Sequence, residues 1–383
     1  QTQPITDPGK RRARTITHLD EQQLAAFGDE IAAVGERARA ELGNDEDERY
    51  LRRLKWGNTS CEVVGRALIH FSFEPITFVL GVIVLSLHFN FEVTFAHNCG
   101  HGAFNRLRDK KGLKKFGTNE YETKKLPASF AGWKYSHNRL HHSNPNIVGR
   151  DPDVGYEVFR VTELQGKPRW FHNIQLVTLA IFAAPMYVLL GLRTYIFAWE
   201  KENQQTFNKN DFKIYVRAIY QQLTQNRYFF YNILLFPLLA GLWFFSAAQM
   251  LKVLVANLLA EAIRGLSYGS MFHMGHHTGT VKFYPRHVKP ATKAEWYVLQ
   301  TETSHSVMMK SPLKHVFGGL DLQIEHHLFP DLPTNKLHQI QPEVERICNK
   351  YGVHYSKASF FKSAWLCVKN YSLHASSGHK HAH

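Results

Sequence analysis

A chain of 383 residues, 44% of them hydrophobic and gathered into long runs, implies a membrane-embedded part bordered by polar segments. Its formal charge of +14 lies beside those runs and suits anionic headgroups or an acidic partner, and with no nucleic-acid-binding motif present, nucleic acid is excluded. Cys61, Cys99, Cys348 and Cys367 form no C-x-x-C pair, which excludes a zinc ribbon and a disulfide framework and leaves four reduced thiols.

Residues 1–20 are polar and include the basic run Lys10-Arg11-Arg12-Ala13-Arg14, an arm suited to a lipid surface. No basic start followed by an apolar core occurs in the first forty residues, so no secretory leader is expected. Residues 19–43 read as a helix capped by Asp20, with Leu24, Phe27, Ile31 and Val34 at helical spacing and Gly43-Asn44-Asp45 as its end. Another helical stretch starts near Asp47, and residues 1–53 are expected to form a cytosolic arm and amphipathic helix. The stretches 54–73 and 76–96, divided by Pro75, read as membrane helices. At 1.5 Å per residue the second reaches across about 30 Å of hydrocarbon. It runs straight into His97. The segment 97–170 carries Arg106, Arg108, Lys110, Lys111, Lys114, Lys115, Lys124 and Lys125, which assign it to the cytosol.

Three more apolar stretches follow, at 171–196, 228–248 and 250–272. An odd number of crossings would separate the later histidines from the earlier ones, so a single site requires an even number. The pair 228–248 and 250–272 has almost no linker and reads as a helical hairpin, leaving 171–196 as an interfacial helix. Residues 278–383 are polar and punctuated by Pro285, Pro290, Pro312, Pro330 and Pro333. Ile340, Val344, Ile347 and Cys348 mark a final amphipathic helix, and 361–383 reads as a C-terminal tail ending in the His-rich run 378–383. The expected fold is an all-α integral membrane protein, with about four transmembrane helices under a cytosolic helical cap.

Histidines cluster in four places. His97 and His101 lie four apart, one helical turn, and so face one way. His137 and His141 repeat that spacing with His142 adjacent, His276 follows the last apolar stretch, and Gln323, His326 and His327 share one face. His70, His88 and His172 stand alone and read as structural. Eight imidazoles exceed what one zinc takes, and divided between two metals they suit a pair of irons with positions left open for dioxygen.

Together with Trp133-Lys134-Tyr135-Ser136-His137-Asn138, Asp151-Pro152-Asp153-Val154-Gly155-Tyr156 and the run from Gln323 to Pro333, these groups resemble a membrane fatty-acid desaturase of the three-histidine-box superfamily. The likeness runs from about residue 18 to about 360, is greatest to bacterial acyl-CoA desaturases of mycobacterial type, and implies a desaturase domain over 54–360. Carried over, it implies that His97, His101, His137, His141, His142, His276, His326 and His327 hold a di-iron centre. Gln323 stands where many relatives have histidine and is a further candidate ligand or orienting group. Ser304-His305-Ser306 replaces a Ser-Ala-Asn stretch, so His305 takes the place beside a missing Asn. His273 and His277 flank His276 where relatives carry apolar or aromatic residues. Asp151 and Asp153 are candidates to orient imidazoles through their free N–H groups.

The implied reaction is dioxygen-dependent removal of two hydrogens from a methylene pair, chemistry that side chains alone do not perform. The resemblance favours a cis double bond at Δ9 in a long-chain acyl substrate carried on CoA, acyl carrier protein or a lipid. A front-end Δ6-type desaturase, a di-iron fatty-acid hydroxylase and a non-enzymatic membrane metal-binding protein are the alternatives. With no His-Pro-Gly-Gly segment and no nucleotide-binding glycine fingerprint, electrons must come from an external donor, implied to be a ferredoxin-like carrier with a reductase. The site is expected to face the cytoplasm from a bacterial inner membrane.

Overall fold

The structure, a computed structural model, describes residues 16–71, 73–118, 121, 126–225, 227–309 and 312–376. The basic run 10–14, Lys124, Lys125 and the His-rich end 378–383 lie outside the described residues. Helix α1 (Glu21–Ala40) opens with Asp20 accepting from the Gln23 backbone N–H at 2.8 Å, while the Gln23 side chain accepts from the Asp20 N–H. Its buried Leu24, Phe27, Ile31 and Val34 join Leu337, Ile340, Val344 and Ile347 in one core cluster.

Helix α2 (Asp45–Phe71) and helix α3 (Pro75–His101) form a 27-residue antiparallel pair. The expected stretch near Asp47 and the one at 54–73 are therefore a single element that crosses the boundary placed at residue 53. Glycine sets how close the pair comes: a Cβ on Gly65 would lie 2.8 Å from the Leu85 backbone nitrogen. Pro75 starts α3 at the position where a missing N–H costs nothing, and Gly102 ends it at φ 81°.

The short α4 (Phe130–Trp133) passes directly into a π-helix, Lys134–His141. The stretch 171–196 is not one interfacial helix. A turn at Trp170–Ile174 leads to α5 (Gln175–Ala183), and α6 (Met186–Asn203) then departs at 95°. Pro185 stands at the break, where it withholds an N–H from the helical ladder. Gly265 accommodates the bend, since a Cβ there would lie 2.2 Å from the Ala184 carbonyl oxygen. After α7 (Phe212–Thr224), a π-turn over Phe230–Leu235, α8 (Phe236–Trp243) and the 30-residue α9 (Ala247–His276) make a hairpin.

Helix α10 (Lys293–Glu302), strand β1 (His305–Met308), α11 (Gln323–Leu328), α12 (Thr334–Tyr351), strand β2 (Ser356–Ser359) and α13 (Phe360–Ala375) complete the chain. The strands pair in parallel, His305 opposite Ser356. Helix α13 corrects the expectation of a tail from 361. Its buried face is Ser363, Cys367, Asn370 and Tyr371, too polar to register as an apolar stripe. The architecture is predominantly helical. Among the described residues one helix, α3, is long and apolar enough to cross a membrane, with the bent α5–α6 pair as a second if taken together. Helix α9 has the length but carries Lys252, Glu261 and Arg264.

Gly132 and Gly191 hold α4 and α6 backbone to backbone. A Cβ on Gly132 would sit 1.7 Å from the Thr194 carbonyl oxygen, and one on Gly191 2.1 Å from that of Pro127. Gly132→Ala is expected to cost about 3 kcal/mol and to lower the thermal midpoint in detergent. Gly279→Ala, which meets nothing closer than 3.5 Å, is expected to stay within about 0.5 kcal/mol of the parent.

Candidate metal centre

Four chain segments deliver eight histidines to one place. The last turn of α3 carries His97 and His101 on one face, pressed against Trp133 so closely that a Cβ on Gly100 would lie 2.0 Å from the indole. The Asn138 amide donates to the Gly100 carbonyl at 2.9 Å and ties the π-helix to that turn. His97, His101, His137 and His326 bring one ligand atom each within 4.8 Å of one another, and His141, His276 and His327 do the same as a second set. His142 lies between the sets: its Nε2 is 3.2 Å from His137 Nε2, and its ring stacks on His327 with centroids 4.3 Å apart.

The equal spacing of the 97/101 and 137/141 pairs suggests equal geometry, and the structure departs from that. The backbone N–H of His142 donates to the His137 carbonyl at 2.9 Å, five residues back, which is π-helical hydrogen bonding. A wider turn aligns i with i+5 instead of i+4. His137 and His142 therefore meet, and His141 is turned into the other set.

Hydrogen bonds fix which nitrogen of several rings faces inward. His141 Nδ1 is 3.0 Å from both oxygens of Asp151, whose carboxylate also accepts from the backbone N–H groups of Asn146 and Asp153. His327 Nδ1 donates to Gln300 Oε1 at 2.8 Å, and the same Gln300 amide donates to the His142 carbonyl at 3.0 Å. His276 Nδ1 donates to the Thr303 carbonyl at 3.1 Å. In each case Nε2 is left for the interior, the arrangement that holds metal-binding imidazoles in register. Gln323 Nε2 lies 2.8 Å from His276 Nε2, and its Oε1 has no partner. A half-turn of the amide brings that oxygen to the same place.

Buried nitrogens are normally satisfied. Here His97 Nε2, His101 Nε2, His326 Nε2 and His327 Nε2 are buried and have none. Burial, reinforced by neighbouring rings, holds His137, His142, His326 and His327 well below the ordinary imidazole range, so these rings are neutral at pH 7. Burial also opposes charge on His141 and Asp151, but their pairing prevails: the imidazole is held above its usual range and the carboxyl below. Neutral, unpartnered, convergent imidazoles are a donor set for metal, and the residues present fit one.

Of the remaining sequence candidates, Asp153 forms a third group with His137 and His141, one ligand atom of each within 4.8 Å of the others, and the rest fall elsewhere. Asp153 lies 3.8 Å from His141 Nδ1 and 3.4 Å from Arg193. His305 is outside both sets, with both nitrogens taken by Ser356 and Ser363 at 2.7 and 2.9 Å. His273 Nδ1 is engaged by Tyr371. Gln300 and Thr303, which orient His327 and His276, carry no spacing signal in the sequence because they approach from a different helix.

A largely apolar pocket adjoins the first set. Val93, Ala96, Leu126, Phe130, Leu190 and Phe272 contribute to its walls, and His97 and His137 form part of its lining.

Residues 73–359, about three quarters of the chain, match the family model for fatty acid desaturase. The chain belongs to the fatty acid desaturase family. It is an oxidoreductase of that class, and its histidine sets fit the family's histidine boxes. This desaturase is 29% identical to the NADPH-dependent stearoyl-CoA 9-desaturase of Mycobacterium tuberculosis, over 94% of its own length and 81% of that protein. It is 25% identical to the sn-1 linoleoyl-lipid 6-desaturase of Synechocystis, over 76% and 79%. To the acyl-lipid (8-3)-desaturase of Physcomitrium patens it is 28% identical, over 74% and 56%.

Asp151→Asn in this desaturase is expected to weaken metal retention by about 10–100-fold, read as metal per chain after chelator dialysis. Depressed histidine pKa values also set the metal-free protein's response to pH. Below about 6.5 the unfolded chain takes up protons that the folded one refuses, so stability falls as pH drops from 7 to 5. Glu325, raised by burial to about 8, Asp321, raised by burial to about 7, and His141, raised by its Asp151 partner, act in the opposite sense but are outnumbered by the four depressed rings. Thermal midpoints of chelated protein across that range check the sign.

Proposed function

We propose that this desaturase introduces a cis double bond at Δ9 of a long-chain acyl-CoA, using two irons, dioxygen and two externally supplied electrons. The observation that carries the reading is the apolar cavity with His97 and His137 in its wall, which lays a methylene chain beside the donor set. The balanced change is –CH2–CH2– + O2 + 2 e⁻ + 2 H⁺ → –CH=CH– + 2 H2O. Zinc has no redox chemistry to offer such a step, so a redox metal is required. A pair of irons bound by the eight histidines would supply the oxidising power to break two unactivated C–H bonds.

The protein's own part is binding, orientation and exclusion of water. Apolar walls at Leu126, Leu190 and Phe272 hold the chain extended and dry. Asp151, Gln300 and Thr303 keep His141, His327 and His276 aimed with Nε2 inward. Lys134, whose ammonium lies 4.8 Å from the Phe130 ring at the cavity wall, and the exposed Arg139 provide positive charge for a phosphate-bearing carrier. The NADPH dependence in the name of the mycobacterial relative supports an electron route from NADPH through a separate reductase and an acidic, ferredoxin-like carrier. Helices α2 and α3, the π-turn and α8 taken together with the residues that flank them, and α9 are assigned as the four spans. The right-angle bend between α5 and α6 supports a segment that enters and returns on one side, keeping every histidine on the cytoplasmic face of the inner membrane.

Expression in a desaturase-deficient host with a reductase and carrier is the test. Monoenes unsaturated at Δ9, located by double-bond derivatisation and absent with His141→Ala, are the expected products. A Δ6 product would move the reading to a front-end enzyme, hydroxy acids to a hydroxylase, and exchangeable zinc without any product to a metal-binding protein.

A further inference from the structure

A separate apolar cavity of about 320 Å³ lies among α5, α9 and α13 and shares no lining residue with the first. Leu179, Ala183, Leu266, Met274 and Ala364 are among its walls. Leu266 and Val368, both at least 42% exposed, open it toward the apolar flank of the molecule. Only two residues with conventional hydrogen-bonding side chains line it. Ser270 is satisfied, donating to the Ser267 carbonyl at 2.9 Å. His273 is not: the ring is 4% exposed and its Nε2 has no partner.

The hydrogen-bond chain behind His273 fixes what that nitrogen can do. His277 Nε2 lies 3.1 Å from the Asp153 backbone carbonyl, which only accepts, and this shorter of its two contacts assigns the proton to Nε2. The Gly155 N–H approaches the same nitrogen at 3.4 Å, the longer of the two contacts. His277 Nδ1 is then an acceptor and takes the Tyr371 O–H at 2.9 Å. With its proton committed, the Tyr371 oxygen accepts from His273 Nδ1 at 2.6 Å. His273 Nε2 is left as a lone pair on the wall of an apolar space. It calls for a donor. An ionised carboxylate has none and is repelled, and a plain hydrocarbon or ether leaves it unmet.

We propose that this cavity binds a long-chain lipid bearing a neutral hydroxyl group, drawn from the bilayer, with its chain along Leu179, Ala183 and Leu266 and its O–H donated to His273 Nε2. The site is independent of the reaction proposed for the histidine sets. It also touches the segment that faces the first cavity, because His277 bonds to Asp153 and Gly155 while Asp153 and Tyr156 line that cavity.

Photolabelling of the purified full chain in detergent tests this, with three C16 diazirine probes: hexadecanol, its methyl ether and palmitate at pH 7.5. Hexadecanol is expected to label Leu176–Met186, Gly265–Met274 and Ala364–Val368, about five-fold more than the other two. His273→Phe is expected to reduce hexadecanol labelling there to the ether's level. Leu266→Trp, an exposed substitution at the mouth, is expected to abolish it while leaving His273 in place. Equal labelling by the ether or by palmitate, or hexadecanol labelling confined to the first cavity, would overturn the proposal.

Discussion

Unpartnered imidazole nitrogen, concentrated in one buried volume, is the condition on which the rest of this molecule depends. Four rings offer lone pairs that no protein donor meets, and the rings stand too close together to accept protons instead. Such an interior persists only where something bound meets the nitrogens or where the surrounding packing prevents the rings from turning away. Both are present. The donor set fits metal, and each segment that brings a histidine is locked to another: Gly100 to Trp133, Asn138 to the Gly100 carbonyl, Gln300 to His142 and His327, Asn146 to the carbonyls of His276 and Thr303.

The scaffold around that volume is arranged so that contacts distant in sequence converge. Helix α3 contributes its C-terminal turn, α9 its last residue, and the π-helix and α11 their whole short lengths. Glycines bring backbones together where a side chain would hold them apart, at Gly65 between α2 and α3, Gly132 and Gly191 between α4 and α6, and Gly265 under the α5–α6 bend. These contacts leave little slack.

Much of this was legible from residues alone. The pairs 97/101, 137/141/142 and 326/327 announce themselves by spacing, as do α1 and α12 by their apolar periodicity. What spacing does not encode is hydrogen-bond register: nothing in Lys134–His141 signals a π-helix, so the placing of His137 and His141 in different sets, with His142 between them, was hidden. Helix α13 was missed because it buries Ser363 and Asn370 beside Cys367 and Tyr371, and the bend at Pro185 because the apolar run continues unbroken across it. Gln300 and Thr303 act across helices, where one-dimensional distance is uninformative.

The π-turn at the second histidine group also bears on how such a centre arises. One residue inserted into an α-helix is enough to create a π-turn. On a regular α-helix His137 and His141 would share one face, whereas the π-turn sets His137 against His142, turns His141 toward His276 and His327, and leaves His142 between the two sets. On this segment the hydrogen-bond register, and not the residue spacing, decides which histidines face one another.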